Sequence, residues 1–391
     1  MEPSAVVVGA GIAGLASALS LTHTGWRVTV LERAPELGEI GAGFAMSRNA
    51  VAAFCGLGFE DAAVAALGCR TRASGIWDLH GHPILTINAD PVTQQSVALI
   101  GVHRRRLHDA LLTASREAGV EIVTGARVTG LDPGEPGGAP AVIDGREAAL
   151  VVGADGVNSA VRAALFPGRS AVYSGYSSWR AVTSRAPDDQ TLRQFWGPHA
   201  EFGLMPISDT ETYWYGYVAL PERTTFDDEL TAAERRFADW TDPVQEVMAR
   251  TVPEAVMRHD VLHLPHGIPR YVTGRVVMAG DAAHAFLPTM GQGAATALED
   301  GICVGLLIGS PVAEGGDLTA AARAYDEARR PRCRALARAA LASARFGAHL
   351  GGGYRQTFRN AMMRLVPASA IQRGAQSAMG WVPPDAGVPA P

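Results

Sequence analysis

Three separated stretches of this chain hold residue types suited to gripping a phosphate and a sugar: Gly9-Ala10-Gly11-Ile12-Ala13-Gly14, Gly153-Ala154-Asp155-Gly156, and Gly280-Asp281 followed by Pro288 and Gly291-Gln292-Gly293. In the first, Gly9 permits a tight strand-to-helix turn, Gly11 lets backbone approach a pyrophosphate, and Gly14 allows close helix packing. The helix start then faces the phosphates with unpaired N–H groups and a partial positive charge. Glu32, at the end of the following strand, stands where a carboxylate accepts hydrogen bonds from a ribose 2′-hydroxyl. In the third stretch Asp281 closes a strand beside a second helix start. An extended dinucleotide satisfies these features, and the first motif alone admits NAD or FAD equally.

These residues need a frame, and the surrounding pattern supplies one. Residues 5–8 are a short continuous apolar run, as expected of a parallel strand covered on both faces. Ile12, Leu15, Leu19 and Leu21 recur mainly at helical spacing, Gly25 stops the helix, and residues 27–32 make the second strand of a βαβ unit. Helices are predicted at 48–66 and 104–118, strands at 120–124, 126–131 and 149–153, a turn over the Pro/Gly-rich stretch 132–140, and a helix from about Asn158. From Val172 to about Leu220 β-formers and aromatics concentrate, which predicts an antiparallel sheet with Tyr213, Tyr215 and Tyr217 on one face and Trp214 on the other. A helix at 231–250, a buried strand at 275–279, a helix at 291–308 and a basic helix at 319–349 complete the pattern. The tail from Val382, with four prolines, is expected to fray. The fold class is thus α/β: a Rossmann-like nucleotide lobe (1–171 and 271–310), an inserted antiparallel substrate lobe (172–270), and a C-terminal helical region and tail (311–391).

Composition narrows the function classes. At 391 residues, with 47% apolar and 19% charged residues, the chain has the makeup of a soluble enzyme of two connected lobes. A net charge of -5 leaves no global field for a polyanion, so nucleic acid is not an expected partner. Every one of the 34 basic residues is arginine, which removes lysine Schiff-base chemistry, a P-loop lysine and lysine-dependent halogenation. Cys55, Cys69, Cys303 and Cys333 lack CxxC spacing and read as reduced thiols of a cytoplasmic protein. The apolar stretch 5–21 is interrupted by glycines and follows no basic segment, so it reads as a strand and helix, and no other run is read as membrane-spanning.

The run Gly-Arg-Val-Val-Met-Ala-Gly-Asp-Ala-Ala-His at 274–284, with Pro288 and Gly291-Gln292-Gly293-Ala294, resembles the flavin-ribityl motif of the group A flavoprotein hydroxylases, a family that includes para-hydroxybenzoate and salicylate hydroxylases. The resemblance extends to about residue 340. It implies FAD as cofactor, reduced by NAD(P)H, with dioxygen as co-substrate and one oxygen passed to an electron-rich ring by hydroxylation or epoxidation. It also implies that Gly9, Gly11, Gly14, Glu32 and Arg33 hold the ADP half, with Ile12, Ala13 and Gly43 as further contacts. Arg104 would contact the FAD backbone, Val128 the adenine, and Asp281 the ribityl chain. Pro288, Gly291, Gly293 and Ala294 would face the flavin, whose reduced form is anionic on its pyrimidine side and is stabilised by N–H groups at a helix start. Where the family often carries Asn, this chain has Ala295. Asp155 is a candidate contact, with an ion pair to Arg162 as the architectural alternative.

For the ring-binding chemistry Tyr215 is the first candidate and Tyr213 the second, each as a phenol hydrogen bond or weak base, with Pro288 beside the reacting centre and Trp179 and Phe202 as walls. Strand aromatics are more often core than pocket, so only some of these are expected to touch ligand. His284 beside Asp281 reads as a loop-fixing histidine, His103 likewise, and no metal site is expected. Arginines 329, 330, 332, 334, 338 and 345 read as a solvated helix face, with an anionic membrane surface as the minor alternative. The expected oligomer is a monomer or homodimer. Two other functions share the flavin or the fold: a reductase or oxidase of an isoprenoid-like lipid, and a binding protein that has lost catalysis.

Overall fold

The structure, a computed structural model, describes residues 3–38, 42–87, 90–186 and 190–384. The βαβ unit forms as its sequence dictates. Ser4–Val8 pairs in parallel with Arg27–Leu31, and the helix Ile12–His23 crosses between them. Ser4–Val8 lies at the centre of a six-stranded sheet. On one side it pairs with Leu150–Gly153, which pairs with Val276–Met278; on the other, Arg27–Leu31 pairs with Glu121–Val123. All these pairings are parallel, so the strand ends that carry Gly9, Glu32, Gly153 and Gly280 open on one edge, where parallel α/β sheets bind ligands.

The second sheet has nine strands. Its antiparallel heart runs Met257–His263, Val172–Ser184, Glu211–Ala219, Ala200–Pro206 and Leu192–Gly197. The sheet continues through Gly68–Asp78, Ala98–His103 and Gly43–Met46, strands drawn from the stretch that the sequence reading places in the nucleotide lobe. Its two faces differ. Cross-strand partners share a face, so Trp214, Leu204 and Ala181 pack with Phe237, Val244 and Trp240 under the helices Glu229–Arg236 and Asp242–Ala249. The opposite face carries Tyr213, Tyr215 and Tyr217, as the period of two requires.

Several predicted elements are broken where the sequence reading runs them through. The helix expected at 48–66 is two, Arg48–Gly56 and Asp61–Ala66, because Gly58 takes a positive φ of 94° between them. The helix expected at 231–250 splits around Trp240 and restarts with Pro243 in its first turn. Of the strand expected at 126–131 only Leu131–Asp132 forms. Beyond the basic helix, Leu318–Phe346, lie two helices the sequence reading missed, Tyr354–Arg364 and Ala368–Met379. Of the tail expected to fray, residues 385–391 lie outside the described residues.

The helical run Gly293–Ala313 has the length and mean hydropathy of a membrane span, which corrects the expectation that no such run exists. Most of it is buried inside the protein, so it equally suits a core helix. The arginine face is also corrected. Arg329 is fully buried, its guanidinium held by Glu299 at 2.7 Å and Asp300 at 2.7 Å, while Arg332 meets Glu299 at 2.6 Å and Arg330 meets Asp326 at 2.7 Å. Arg329 and Arg332 therefore tie the helix Leu318–Phe346 to Gly293–Val304, Arg334 donates to the Ile268 carbonyl at 3.1 Å, and Arg330 pairs within its own helix.

Candidate active site

The glycine loop shows which of its residues serve the protein and which serve something else. A Cβ on Gly9 would meet the Ala154 carbonyl at 2.5 Å, and one on Gly14 the Gly9 carbonyl at 1.8 Å, so both are required by the chain's own packing. A Cβ on Gly11, by contrast, would meet nothing within 4 Å. No side chain caps the helix that begins there, so its first N–H groups point into that space. Ile12 and Ala13 are buried in the core, which leaves their main chain as what they offer a ligand. Glu32 accepts from the N–H of Ala10 at 2.8 Å and of Ala34 at 2.8 Å. Each oxygen keeps a further lone pair for a sugar hydroxyl. Arg33 is exposed beside it. Val128 is buried at the end of the loop whose Ala126 N–H donates to the Glu32 carbonyl at 2.8 Å.

At the other end of the sheet edge, Gly280 adopts φ 60° and packs so closely that a Cβ would meet Ala13 at 2.7 Å. The Asp281 side chain is exposed toward a cavity. Pro288 opens a short 3₁₀ turn, Gly291 turns left-handed with φ 63°, and the helix Gly293–Val304 starts without a side-chain cap. Gly291 and Gly293, like Gly11, have open space where a Cβ would stand. Ala294 lies on the same wall, and Ala295 is buried in the core. Asp155 does not pair with Arg162. It accepts from the Ser159 hydroxyl at 2.5 Å and the Ala160 N–H at 2.6 Å, capping the helix Ala160–Leu165, while Arg162 donates to the carbonyls of Val157, Arg169 and Ala282. The reason is geometric: helix N–H groups already saturate the carboxylate.

His284 fixes the loop, as expected, through a network the sequence hides. Its Nε2 lies 2.6 Å from Asp300 Oδ2, which also accepts from the Gly280 N–H at 2.8 Å, and Asp300 Oδ1 accepts from Arg329 at 2.7 Å. Asp300 is held down to about 2 by His284 and Arg329 despite burial, and His284 is raised by Asp300 and Cys333. His284, Asp300 and Cys333 come close enough to hold a metal ion. The buried Arg329 guanidinium already takes that corner, so the arrangement is an ion-pair network.

Between the flavin-motif loops and the tyrosine face lies a cavity of about 520 Å³. Gly43, Arg104, Asp281, Pro288, Gly291, Gly293 and Ala294 line it together with Tyr213 and Tyr215, so these predicted residues converge on one space. Gly43 is required by contact, since a Cβ there would meet the Tyr213 ring at 2.5 Å. Leu99, Leu192, Met205, Phe286 and Met290 supply apolar wall. Trp179 and Phe202 do not. Both are cross-strand partners of Gly216, on the face of Trp214, and both are buried beneath the helices.

Sequence reasoning missed the polar groups of the tyrosine face. The Tyr215 hydroxyl donates to Glu201 Oε1 at 2.6 Å, and Gln194 Nε2 donates to both, at 2.9 and 3.0 Å. Burial pushes Glu201 up to about 7, against its hydrogen bonds from Tyr215 and Gln194. Burial and the adjacent carboxylate keep the Tyr215 phenol protonated, and burial does the same for Tyr213. Tyr213 and Tyr215 therefore stand in the cavity as neutral phenols, with the Glu201 carboxyl beside Tyr215. His259 also lines the cavity, lowered by burial and the nearby Arg180.

The family described as FAD binding domain matches residues 2–340 of the chain. Among curated proteins the chain is 38% identical over 303 residues to the aurachin C monooxygenase/isomerase of Stigmatella aurantiaca, covering 76% of this chain and 78% of that one. It is 35% identical over 377 residues to the 3-amino-4-hydroxybenzoate 2-monooxygenase of Streptomyces cremeus, covering 92% and 91%. Among solved structures it resembles Klebsiella pneumoniae HpxO complexed with FAD and uric acid, with a TM-score of 0.82 and 26% identity over 96% of each chain.

Proposed function

We propose, for a chain that belongs to this FAD-binding-domain family and is an FAD-dependent aromatic monooxygenase, that its substrate is a flat, mainly apolar ring compound bound beneath Tyr213 and Tyr215. The observation that carries this is the shared cavity: the loops with open space at Gly291 and Gly293 form one wall and the tyrosine face another. Bound FAD supplies the redox chemistry, with NAD(P)H as reductant and dioxygen as oxygen donor. The chain's own residues bind, orient and keep water away. Gly11 and the uncapped helix at Ile12 would hold the pyrophosphate, Glu32 the adenosine ribose, and Asp281 the ribityl hydroxyls. The start of the helix at Gly293 would face the pyrimidine edge, where its N–H dipoles favour negative charge.

The aminohydroxybenzoate of the Streptomyces cremeus monooxygenase and the uric acid bound by HpxO are both rings with O–H or N–H groups. They support the same class here. The apolar lining of Leu192, Met205 and Phe286 favours a ring with hydrocarbon substituents over a highly charged one. The lipid reductase reading loses support where the basic helix proves to be tied inward by Arg329 and Arg332. The free thiols of Cys55, Cys69, Cys303 and Cys333 favour a reducing, cytoplasmic setting, and the net charge of -5 favours no nucleic-acid partner. The test is substrate-stimulated NAD(P)H oxidation by the FAD-loaded protein across hydroxybenzoates, aminophenols and hydroxyquinolines. Stimulation coupled to a hydroxylated or epoxidised product is expected; oxidation that no ring accelerates would contradict the reading.

A further inference from the structure

The helix Tyr354–Arg364 is packed inside out. Tyr354, Phe358, Met362 and, just past its end, Leu365 follow at helical spacing and share one face, yet they are 79%, 68%, 50% and 80% exposed. The inward face is polar. Arg359 is only 2% exposed, its guanidinium lies over the Trp196 ring at 4.9 Å and donates to the Phe346 carbonyl at 2.6 Å, and Gln356 donates to the Leu350 carbonyl. A surface helix ordinarily turns its apolar stripe to the core. An apolar ridge left outside and rimmed by polar groups marks a surface that something else covers.

The charge around the ridge selects its partner. From residue 328 to residue 384 the chain has ten arginines and no acidic residue, although the whole molecule carries a net charge of -5. Arg329 and Arg332 turn inward to Glu299, and Arg330 pairs with Asp326. Arg338, Arg345, Arg355, Arg364 and Arg373 are exposed, and among the described residues none of them forms an ion pair. By the helical period Arg355 and Arg364 stand on opposite flanks of the ridge. A helix lying in a membrane interface has this layout: apolar side chains enter the acyl boundary while long cationic ones on either flank reach the headgroup phosphates. Tyr354 adds an aromatic ring suited to the headgroup level. A second copy of the chain is the poorer partner, because a two-fold contact sets the same arginine-rimmed patch against itself with no carboxylate on this segment to offset it.

We propose that the helix Tyr354–Arg364 is a peripheral docking surface for an anionic phospholipid bilayer. Tyr354, Phe358, Met362 and Leu365 enter the interface, and Arg355 and Arg364 hold lipid phosphates. The helix lies on the membrane and does not cross it, since its 11 residues rise only about 16 Å. One further helix links this contact to the cavity. Ala368–Met379 packs on Pro91–Ser96 through the Gln372 amide and the Thr93 hydroxyl at 2.7 Å, and its Met379 lines the cavity wall. The lipid contact is independent of the substrate class proposed above. It suits that class, because rings with hydrocarbon substituents partition into bilayers.

The experiment is flotation of the FAD-loaded full chain with vesicles of phosphatidylcholine alone and of phosphatidylcholine mixed equally with phosphatidylglycerol. Each is run at about 0.1 M and about 1 M salt, where charge acts over about 10 Å and about 3 Å. The protein should float with the mixed vesicles at low salt, leave them at high salt, and bind phosphatidylcholine at least about tenfold more weakly. Arg355→Glu with Arg364→Glu should weaken binding by more than about 25-fold, since each arginine near an anionic surface contributes about fivefold. Phe358→Ser with Met362→Ser should abolish flotation while flavin content and thermal melt stay those of wild type, because both side chains already face solvent. Protein that never floats with the mixed vesicles, or floats equally whichever pair is replaced, would overturn the proposal. So would a dimer, seen by analytical ultracentrifugation, that the serine pair dissociates while flotation is absent; that result assigns the ridge to a second copy. Should the serine pair unfold the chain, the arginine pair, also exposed, decides by the same criteria. None of these measurements uses turnover, so their failure leaves the monooxygenase reading intact.

Discussion

At Gly11 and Gly14 one residue type answers to two different neighbours, and substitution separates them. Gly14→Ala would drive a methyl group into the Gly9 carbonyl, so the apoprotein itself should lose stability. Gly11→Ala meets open space, so the apoprotein should melt within about 1 kcal/mol of wild type while FAD affinity falls by about tenfold or more. Titration of FAD alongside the apoprotein melt checks both; equal damage to fold and cofactor in Gly11→Ala would contradict the assignment. Asp281→Ala removes an exposed carboxylate and should cost FAD retention without unfolding the chain, read from flavin content after purification. Glu201 predicts a pH effect of known sign. Its value is raised from 4.5 to about 7 in the fold, so its contribution is present at low pH and lost as pH rises through about 7. Relative to Glu201→Gln, the wild type should therefore lose stability as pH rises from about 4.5 to about 7, with no further loss from this group above that. The glycine motif, Glu32 and the Tyr213/Tyr215/Tyr217 face were legible in the sequence because each rests on local spacing. Glu201 was not, because it sits in a strand that reads as apolar core and meets Gln194 and Tyr215 only across the sheet.

Among elements, the helix Gly293–Val304 and the long helix Leu318–Phe346 are joined by buried charge: Glu299 and Asp300 on one, Arg329 and Arg332 on the other. Breaking such a pair on one side leaves an uncompensated buried charge, so Asp300→Asn should cost about 3–5 kcal/mol. Denaturant unfolding at constant m-value measures it. The pair also resists acid. With Asp300 lowered from 3.8 to about 2, its contribution persists above the ordinary carboxylate range and is lost only as pH falls toward about 2. His284, raised by the same partner, contributes below its ordinary value and loses that contribution as pH rises through its elevated one. None of this shows in the sequence, where arginines along an amphipathic helix read as a wetted face. The faces of Trp179 and Phe202 escaped for a related reason. Each is a strand aromatic like the tyrosines, and only the register opposite Gly216 turns them into the core.

At the scale of the whole molecule, the chain passes between the two sheets several times. Gly43–Met46, Gly68–Asp78 and Ala98–His103 leave the nucleotide side to extend the nine-stranded sheet, and Val276–Met278 returns to the six-stranded one. With Pro83–Thr86, which pairs with Gly68–Asp78, a fragment of residues 172–270 therefore lacks four strands of its own sheet and should not fold alone, as circular dichroism would show; a cooperative melt of that fragment would contradict this topology. Because FAD would touch loops from both sequence halves, saturating cofactor should stabilise the entire chain in one transition, by about 2.7 kcal/mol at 100 times its Kd. The two-lobed α/β character was readable from alternating strand and helix patterns, but the strand exchange was not, since pairing partners lie far apart in sequence. The central claim, that this cavity passes one oxygen atom from dioxygen to a ring held under Tyr213 and Tyr215, is tested most directly by turnover under ¹⁸O-labelled dioxygen with NAD(P)H. Product carrying one labelled oxygen per molecule is the predicted result; product without label, or labelled only from water, would contradict it.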